Sequence, residues 1–227
     1  MEKQEIEIPK EVPVMTLGGS VLFPQAVMPL HIFEPRYREM LDEVLASDRI
    51  FAVAALDESS PENREKELPH AIAGIGVVRA CRTNQDGTSN LVLQGLARVR
   101  LEAITREQPF RKARIVQVQS EPGGPAEAIG AIRDSVLDLV QAMIELGASI
   151  PSEVPQFLGK VGDAETVLDL AVYSLCPPGP LKQELLETTE VLLRYQHFEA
   201  FMHSEIERLR LENKLKGELG EDSIGLN

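Results

Sequence analysis

His31 and Glu34 stand three residues apart in the stretch MPLHIFEPRYREML, residues 28–41, and their types and spacing could do chemistry. An imidazole beside a carboxylate can work as an acid–base dyad, and the same two side chains can donate two ligands to a metal ion. A metal site needs more ligands, and no second ligand pair accompanies them. His70 follows Pro69 at the end of a polar loop and reads as exposed. His197 and His203 lie six apart on one helical pattern, which places them on different faces. Cys81 and Cys176 are far apart in apolar contexts without a CxxC, the pattern of reduced, packed thiols. GxSxG, GxxxxGK[ST] and HExxH are absent. GIGVVR, from Gly74, lacks the third glycine of a dinucleotide fingerprint and precedes a hairpin instead of a helix. The inventory predicts no catalytic residues, no metal and no cofactor. A small-molecule enzyme using His31 and Glu34 is the weakest of three alternatives.

The elements around the pair explain them better as a junction. Met28, Leu30 and Ile32 share one face of a strand. Pro35 suits the first position of a helix whose buried stripe is Tyr37, Met40, Leu41, Val44 and Leu45. Arg36 and Arg38 oppose the helix dipole in its first turn, at a cost of about 0.3–1 kcal/mol each. Something must offset that cost. Glu34 and at least one of these arginines are therefore expected to form hydrogen bonds that lock helix to sheet, with Glu34 to Arg38 at i,i+4 the first candidate.

Elsewhere in residues 1–119 the pattern is β with that one helix embedded. Strands are expected at Val12 to Leu17, at IFAVAAL (Ile50 to Leu56, buried on both faces), at AIAGIGVVRAC (Ala71 to Cys81), at Leu91 to Ile104 and at Ala113 to Gln119. Gly74 and Gly76 mark a bulge or a close backbone approach. Asp86-Gly87 marks a hairpin turn. Asp57 to His70, broken by Pro61 and Pro69, reads as a surface loop. Six short strands in hairpin order predict an antiparallel barrel or curled sheet within an α+β protein. Composition changes at SEPGGP, from Ser120. Residues 120–216 carry helical periods throughout, with Asp163 as a helix cap and a long last helix buried along Val191, Tyr195, Phe198, Met202, Ile206 and Leu209. Residues 217–227 read as a frayed polar tail.

Charge narrows the partners. The chain of 227 residues has a net charge of −13. Residues 1–118 hold 15 Lys and Arg against 17 Asp and Glu; the remainder holds 8 against 19. Such acidity repels phosphate backbones and disfavours nucleic acid. The exception is the basic stretch from Arg98 to Arg114, read as the solvated face of two strands or as a small patch for an acidic partner or RNA. Aromatic residues make up only 4% of the chain, few rings for stacking bases. No apolar run reaches the roughly 18 residues that span a bilayer, and the N-terminus lacks a signal peptide's core, so a cytoplasmic protein without membrane contact is expected.

One family fits these pieces together. LGGSVLFPQAVMPLHIFEPRYREML resembles the start of the Lon protease N-terminal (substrate-binding) domain. AGIGVVRACRTNQDGTSNLVLQGLARVRL, PFRKARI and KQELLETTEV resemble that family's later motifs, in its order, over about residues 12–200. The resemblance implies a β-rich subdomain of PUA-like type followed by a helical bundle. It also implies a protein standing alone without the ATPase and Ser–Lys protease domains of full-length Lon, and it brings no catalytic or cofactor residues. The expected function is a non-enzymatic module that recognises protein or peptide segments, adaptor-like, in protein quality control. The alternative is an RNA-binding PUA-like protein. The binding surface and the oligomeric state stay open.

Overall fold

The computed structural model describes residues 6–222. The described residues divide into two compact units, residues 6–119 with 172–187, and residues 120–171 with 188–222. The first is built on six strands: β1 Glu11–Leu17, β2 Val27–Ile32, β3 Ile50–Ala55, β4 Ile72–Thr83, β5 Ser89–Arg106 and β6 Arg111–Val118. They form one sheet in the order β2-β5-β4-β3-β1-β6, and β5 pairs again with β6, so the sheet curls back on itself. The 18 residues of β5 allow this, with Val27–Ile32 paired near its start and Arg111–Val118 towards its end.

The sheet is mixed, which corrects the antiparallel expectation. Val14 to Leu17 of β1 run parallel to Ala52 to Ala55 of β3. The chain between them carries β2 and the helix α1, Pro35–Leu45, and that long excursion is what a parallel crossover requires. Both faces of the central strands are buried. On one, Phe51 and Val53 join Met15 and Leu93 under the stripe Tyr37, Met40, Leu41 and Val44 of α1. On the other, twelve small or branched side chains meet, five of them alanines, including Ala52, Ala54 and Ala97. IFAVAAL accordingly has no polar face.

The two glycines of GIGVVR serve packing. A Cβ at Gly74 would fall 2.0 Å from the Leu22 carbonyl oxygen, and one at Gly76 would meet the Leu93 side chain at 2.7 Å. A register shift at Ile75/Gly76 accompanies them, as expected of a bulge. Gly87 turns the hairpin with φ 79°. The expected loop at 57–70 contains a one-turn helix α2, Pro61–Glu65, because Ser60 caps it by accepting from the Asn63 N–H at 3.1 Å.

In the second unit, α3 Ala126–Glu145 packs along α7 Val191–Asp222, with α4 Val154–Gly159 between them in sequence. The whole expected stripe of α7, from Val191 to Leu209, is buried. Helix α5, Ala164–Leu175, starts where expected, since Asp163 Oδ2 accepts from the Thr166 N–H at 2.8 Å. The last helix runs to Asp222. Residues 223–227 lie outside the described residues. Helix α6, Pro180–Glu187, was expected in the bundle but clusters with the sheet unit.

Candidate functional site

The junction at residues 28–41 is held as a structural device. Met28 and Ile32 are buried, and His31 points to the exposed face of β2. Its Nδ1 lies 2.9 Å from Asn90 Oδ1 on the paired strand, and its ring stacks on Phe33 with centroids 6.0 Å apart. Glu34 takes Arg36, not Arg38: Arg36 Nε donates to Glu34 Oε2 at 2.8 Å. As the helix N-cap, Glu34 has extended backbone angles (φ −64°, ψ 133°), so it does not share the helical i,i+4 spacing with Arg38. Arg36 reaches on to Glu67 with Nη1 at 2.5 Å. Arg111 donates to the carbonyl oxygens of Lys66 and Glu67. Arg38 lies over the hairpin turn, its Nη2 where a side chain at Gly87 would begin. His31 and Glu34 thus border one cavity of about 50 Å³, each engaged by a different neighbour.

The basic stretch is also largely spent inside the protein, which corrects its reading as a solvated face. Arg98 is buried, donating to the Leu186 carbonyl oxygen at 3.1 Å. Arg106 covers the Phe110 ring, 4.0 Å from its centroid, and donates to Glu43 Oε2 at 3.2 Å. Lys112 pairs with the other oxygen of Glu43. Arg111 donates to Glu107 Oε2 at 2.9 Å. Arg100 and Arg114 remain exposed. A patch built to neutralise phosphates would keep its cations free.

This arrangement makes Glu43 acid-sensitive. Hydrogen bonding from Lys112, with a smaller contribution from Arg106, holds its carboxyl below the usual carboxylate range against the opposing effect of burial. A carboxyl depressed in the fold stabilises the native state above its unfolded value of about 4.3, and loses that contribution as pH falls through the lower folded value. Glu43→Gln is expected to cost under about 1 kcal/mol at pH 7, because the side chain is 40% exposed. Urea denaturation from neutral pH downward checks this: the difference from the native sequence should shrink below about pH 4. A difference independent of pH would refute it.

Among the described residues no three His, Cys, Asp or Glu side chains form a group able to hold a metal. What unit one does present is an open groove of about 620 Å³ where the end of β3 meets the 57–70 segment and α6. Its walls include Val21, Ala55, Leu56 and Pro180, and its rim carries Asp57, Glu58, Glu184 and Glu187 with Arg64 and His70. Helix α6 is fastened there. Gln183 Nε2 donates to the Ile72 carbonyl oxygen at 3.0 Å, and Lys182 Nζ to the carbonyl oxygens of Tyr173 and Cys176 at 2.6 and 2.9 Å. Burial lowers the affinity of the Lys182 amine for its proton. Sequence reasoning missed the groove because its two sides lie more than a hundred residues apart and α6 was placed in the bundle. CPPGP, before α6, was the one local sign of a turn there.

The edge strand offers an incoming chain less than the groove does. Pro29, in mid-strand of β2, has no N–H to give, and Tyr173 Oη donates to the Val27 carbonyl oxygen at 3.2 Å.

The fold and groove define an α+β protein with a curled six-stranded sheet that presents a concave surface beside α6. Comparison with known proteins then places it. The model of the ATP-dependent protease La (LON) substrate-binding domain matches residues 11–204, and the chain belongs to that family. The Lon protease of Desulfosudis oleivorans is 24% identical over 95% of this chain and 26% of its own length. Lon protease 2 of Thermus thermophilus is 27% identical over 95% of this chain and 27% of its own length. The chain thus spans about a quarter of the length of these relatives. The N-terminal domain of Mycobacterium avium complex Lon protease shares the fold with a TM-score of 0.68 at 19% identity, over 86% of this chain and 98% of that one. A Lon N-terminal domain protein from Xanthomonas campestris aligns with a TM-score of 0.60 at 19% identity, over 85% of this chain and 98% of that one. Among the described residues no helix is long and apolar enough to cross a membrane.

Proposed function

We propose that this chain is a non-catalytic module that holds segments of other proteins, in the groove between β3, the 57–70 segment and α6, in an adaptor-like role in cytoplasmic protein quality control. The groove carries this reading. It combines an apolar floor at Val21, Ala55 and Leu56 with polar groups at the rim, and its volume of about 620 Å³ accommodates one or two side chains of a bound segment. Membership of a substrate-binding domain family supports the same class of ligand. The engagement of His31 and Glu34 by Asn90 and Arg36 favours binding over acid–base work at that pair.

The test is titration with two permanently unfolded proteins, one acidic and one basic, against a folded protein of matched charge. At least one unfolded chain should bind with micromolar affinity. Leu56→Ala, which removes part of the floor without touching the backbone bond from Leu56 N to Leu17 O, should weaken it at least fivefold. Binding no stronger than the folded control, or unaffected by Leu56→Ala, would overturn the proposal.

A further inference from the structure

We infer that the 57–70 segment is a movable wall of the groove, which swings aside to admit a protein segment and closes beside it, with Glu67 as its latch. The inference rests on the protein-binding reading above. Three features of the wall point to it: the lack of buried side chains, the space on its flanks and the backbone of Glu67.

No side chain from Asp57 to His70 is buried. The stem of the segment is closed by backbone bonds, Asp57 N to Leu68 O at 2.8 Å and His70 N to Ala55 O at 2.9 Å, and His70 Nδ1 lies 3.4 Å from Glu187 Oε1 on α6. Past the stem, several bonds join the segment only to itself. Ser60 caps α2, Asn63 Nδ2 donates to Asp57 Oδ2 at 2.7 Å, and Arg64 pairs with Glu58 at 2.9 Å. A unit held in this way opens locally at far lower cost than a sheet buried on both faces. It also has room to move. Asp57, Glu58, Ser59 and Arg64 border the groove of about 620 Å³, while Glu65, Lys66 and Glu67 border a second cavity of about 210 Å³.

The tip is fastened to the body by two arginines, one from α1 and one from β6. Arg36 Nη1 donates to Glu67 Oε2 at 2.5 Å, with the two side chains 35% and 48% exposed. Arg111 Nη1 and Nη2 donate to the carbonyl oxygens of Glu67 and Lys66 at 2.5 and 2.7 Å. Glu67 itself has φ 48°. A residue other than glycine keeps that left-handed backbone only while its surroundings impose it. The arginines impose it here, so letting go of Glu67 releases strain and favours the open wall. An exposed ion pair is weak and screened by salt, which leaves the closed state a small margin. The wall therefore has two states, and the charge of Glu67 biases them. Closed, it sets Asp57, Glu58 and Arg64 beside the floor of Val21, Ala55 and Leu56.

Hydrogen exchange of the whole chain, read by mass spectrometry, tests this together with stopped-flow binding of the two unfolded proteins. A helix as short as α2 does not stand alone in water, so exchange at residues 61–68 reports opening of the wall. Glu67→Gln should speed exchange there at least threefold and Glu67→Lys, which sets like charge against both arginines, at least tenfold. Exchange in β3 and β4 should not change, which also shows that the variants fold. Arg36→Gln reaches the latch from the other side and should act like Glu67→Gln. A saturating unfolded protein should slow exchange at 61–68 at least fivefold in the native chain. Glu67→Lys should raise both its association and its dissociation rate at least threefold, which a merely structural role would not do. Exchange at 61–68 indifferent to Glu67→Lys, or sped equally throughout the sheet, overturns the inference. Unfolded protein that binds, and is weakened by Leu56→Ala, without slowing exchange at 61–68 or without faster association to Glu67→Lys overturns it too, while leaving the protein-binding reading standing. No binding by either unfolded protein removes both readings together.

Discussion

Arg194→Ala should lower the stability of this protein by about 3–5 kcal/mol, the cost of taking the guanidinium away from a buried carboxylate. Arg194 is fully buried at the start of α7. Its Nη1 donates to Asp169 Oδ1 on α5 at 2.7 Å, and Asp169 is itself only 1% exposed. Its Nη2 donates to Glu165 Oε1 at 3.1 Å and to Ser120 Oγ at 3.0 Å, and the Ser120 hydroxyl in turn donates to Glu165. One guanidinium therefore joins the segment that opens the second unit to α5 and α7. Its planar fork suits this, and a lysine could not reproduce it, so Arg194→Lys should recover little. The loss comes from removing the cation that balances the Asp169 carboxylate in a site closed to water. Replacing both members, as Arg194→Met with Asp169→Leu, should return stability to within about 1–2 kcal/mol of the native chain. Urea denaturation of the three variants decides the matter. A loss under 1 kcal/mol for the alanine variant would mean that water reaches the pair.

The second large effect is steric. Gly95→Ala should cost about 3 kcal/mol or more, above the usual overpacking penalty, because the obstacle is backbone. A Cβ at Gly95 would stand 2.0 Å from the Phe23 carbonyl oxygen, as one at Gly74 would from that of Leu22. The segment bearing both carbonyls is pinned on either side of Gly95 by bonds from Gln25 N to Gly95 O and from Gly95 N to Ala26 O, each 2.9 Å. Leu22 and Phe23 are wholly buried, so the segment cannot retreat without exposing them. Gly130→Ala supplies the control. That glycine lies within α3 with nothing near its missing side chain, and the change should stabilise by about 0.5–1 kcal/mol. Opposite signs for the two substitutions in one denaturation series are the expected result. A neutral Gly95→Ala would show that the 21–25 segment is not held against the sheet as described.

These two sites show how far the sequence could be read. Gly74 and Gly76 announced a close approach from their position inside a strand pattern, yet Leu22 as the neighbour, and Gly95 as the second contact, could not be named. Arg194 gave no signal at all. It sits one residue before Tyr195 in a helix whose stripe was read correctly, and a lone arginine among apolar residues looks like a solvated side chain until its partners are known. Arg98 misled in the same way. Its alternation with Ala97 and Val99 predicts exposure on one face of a half-buried strand, but the Leu186 carbonyl of a distant helix receives it. For Glu34 the role was legible and the partner was not, since an N-cap backbone removes it from the helical spacing that pointed to Arg38.

By itself the sequence determined the kind of each long element, the turn at Asp86-Gly87, the cap at Asp163, the buried stripes of α1 and α7, and the family signature around residues 28–41. All of these depend on residues within a few positions of one another, where backbone preference and the period of apolar side chains act directly. Only the tertiary structure decided that β1 runs parallel to β3, that β5 serves two neighbours, that α6 leaves the bundle pattern for the sheet, and that Gln183 and the acids of 57–58 and 184–187 share one groove. Each of these joins segments separated by tens of residues or more, and what selects such pairings is the mutual burial of surfaces, which no short window of sequence contains.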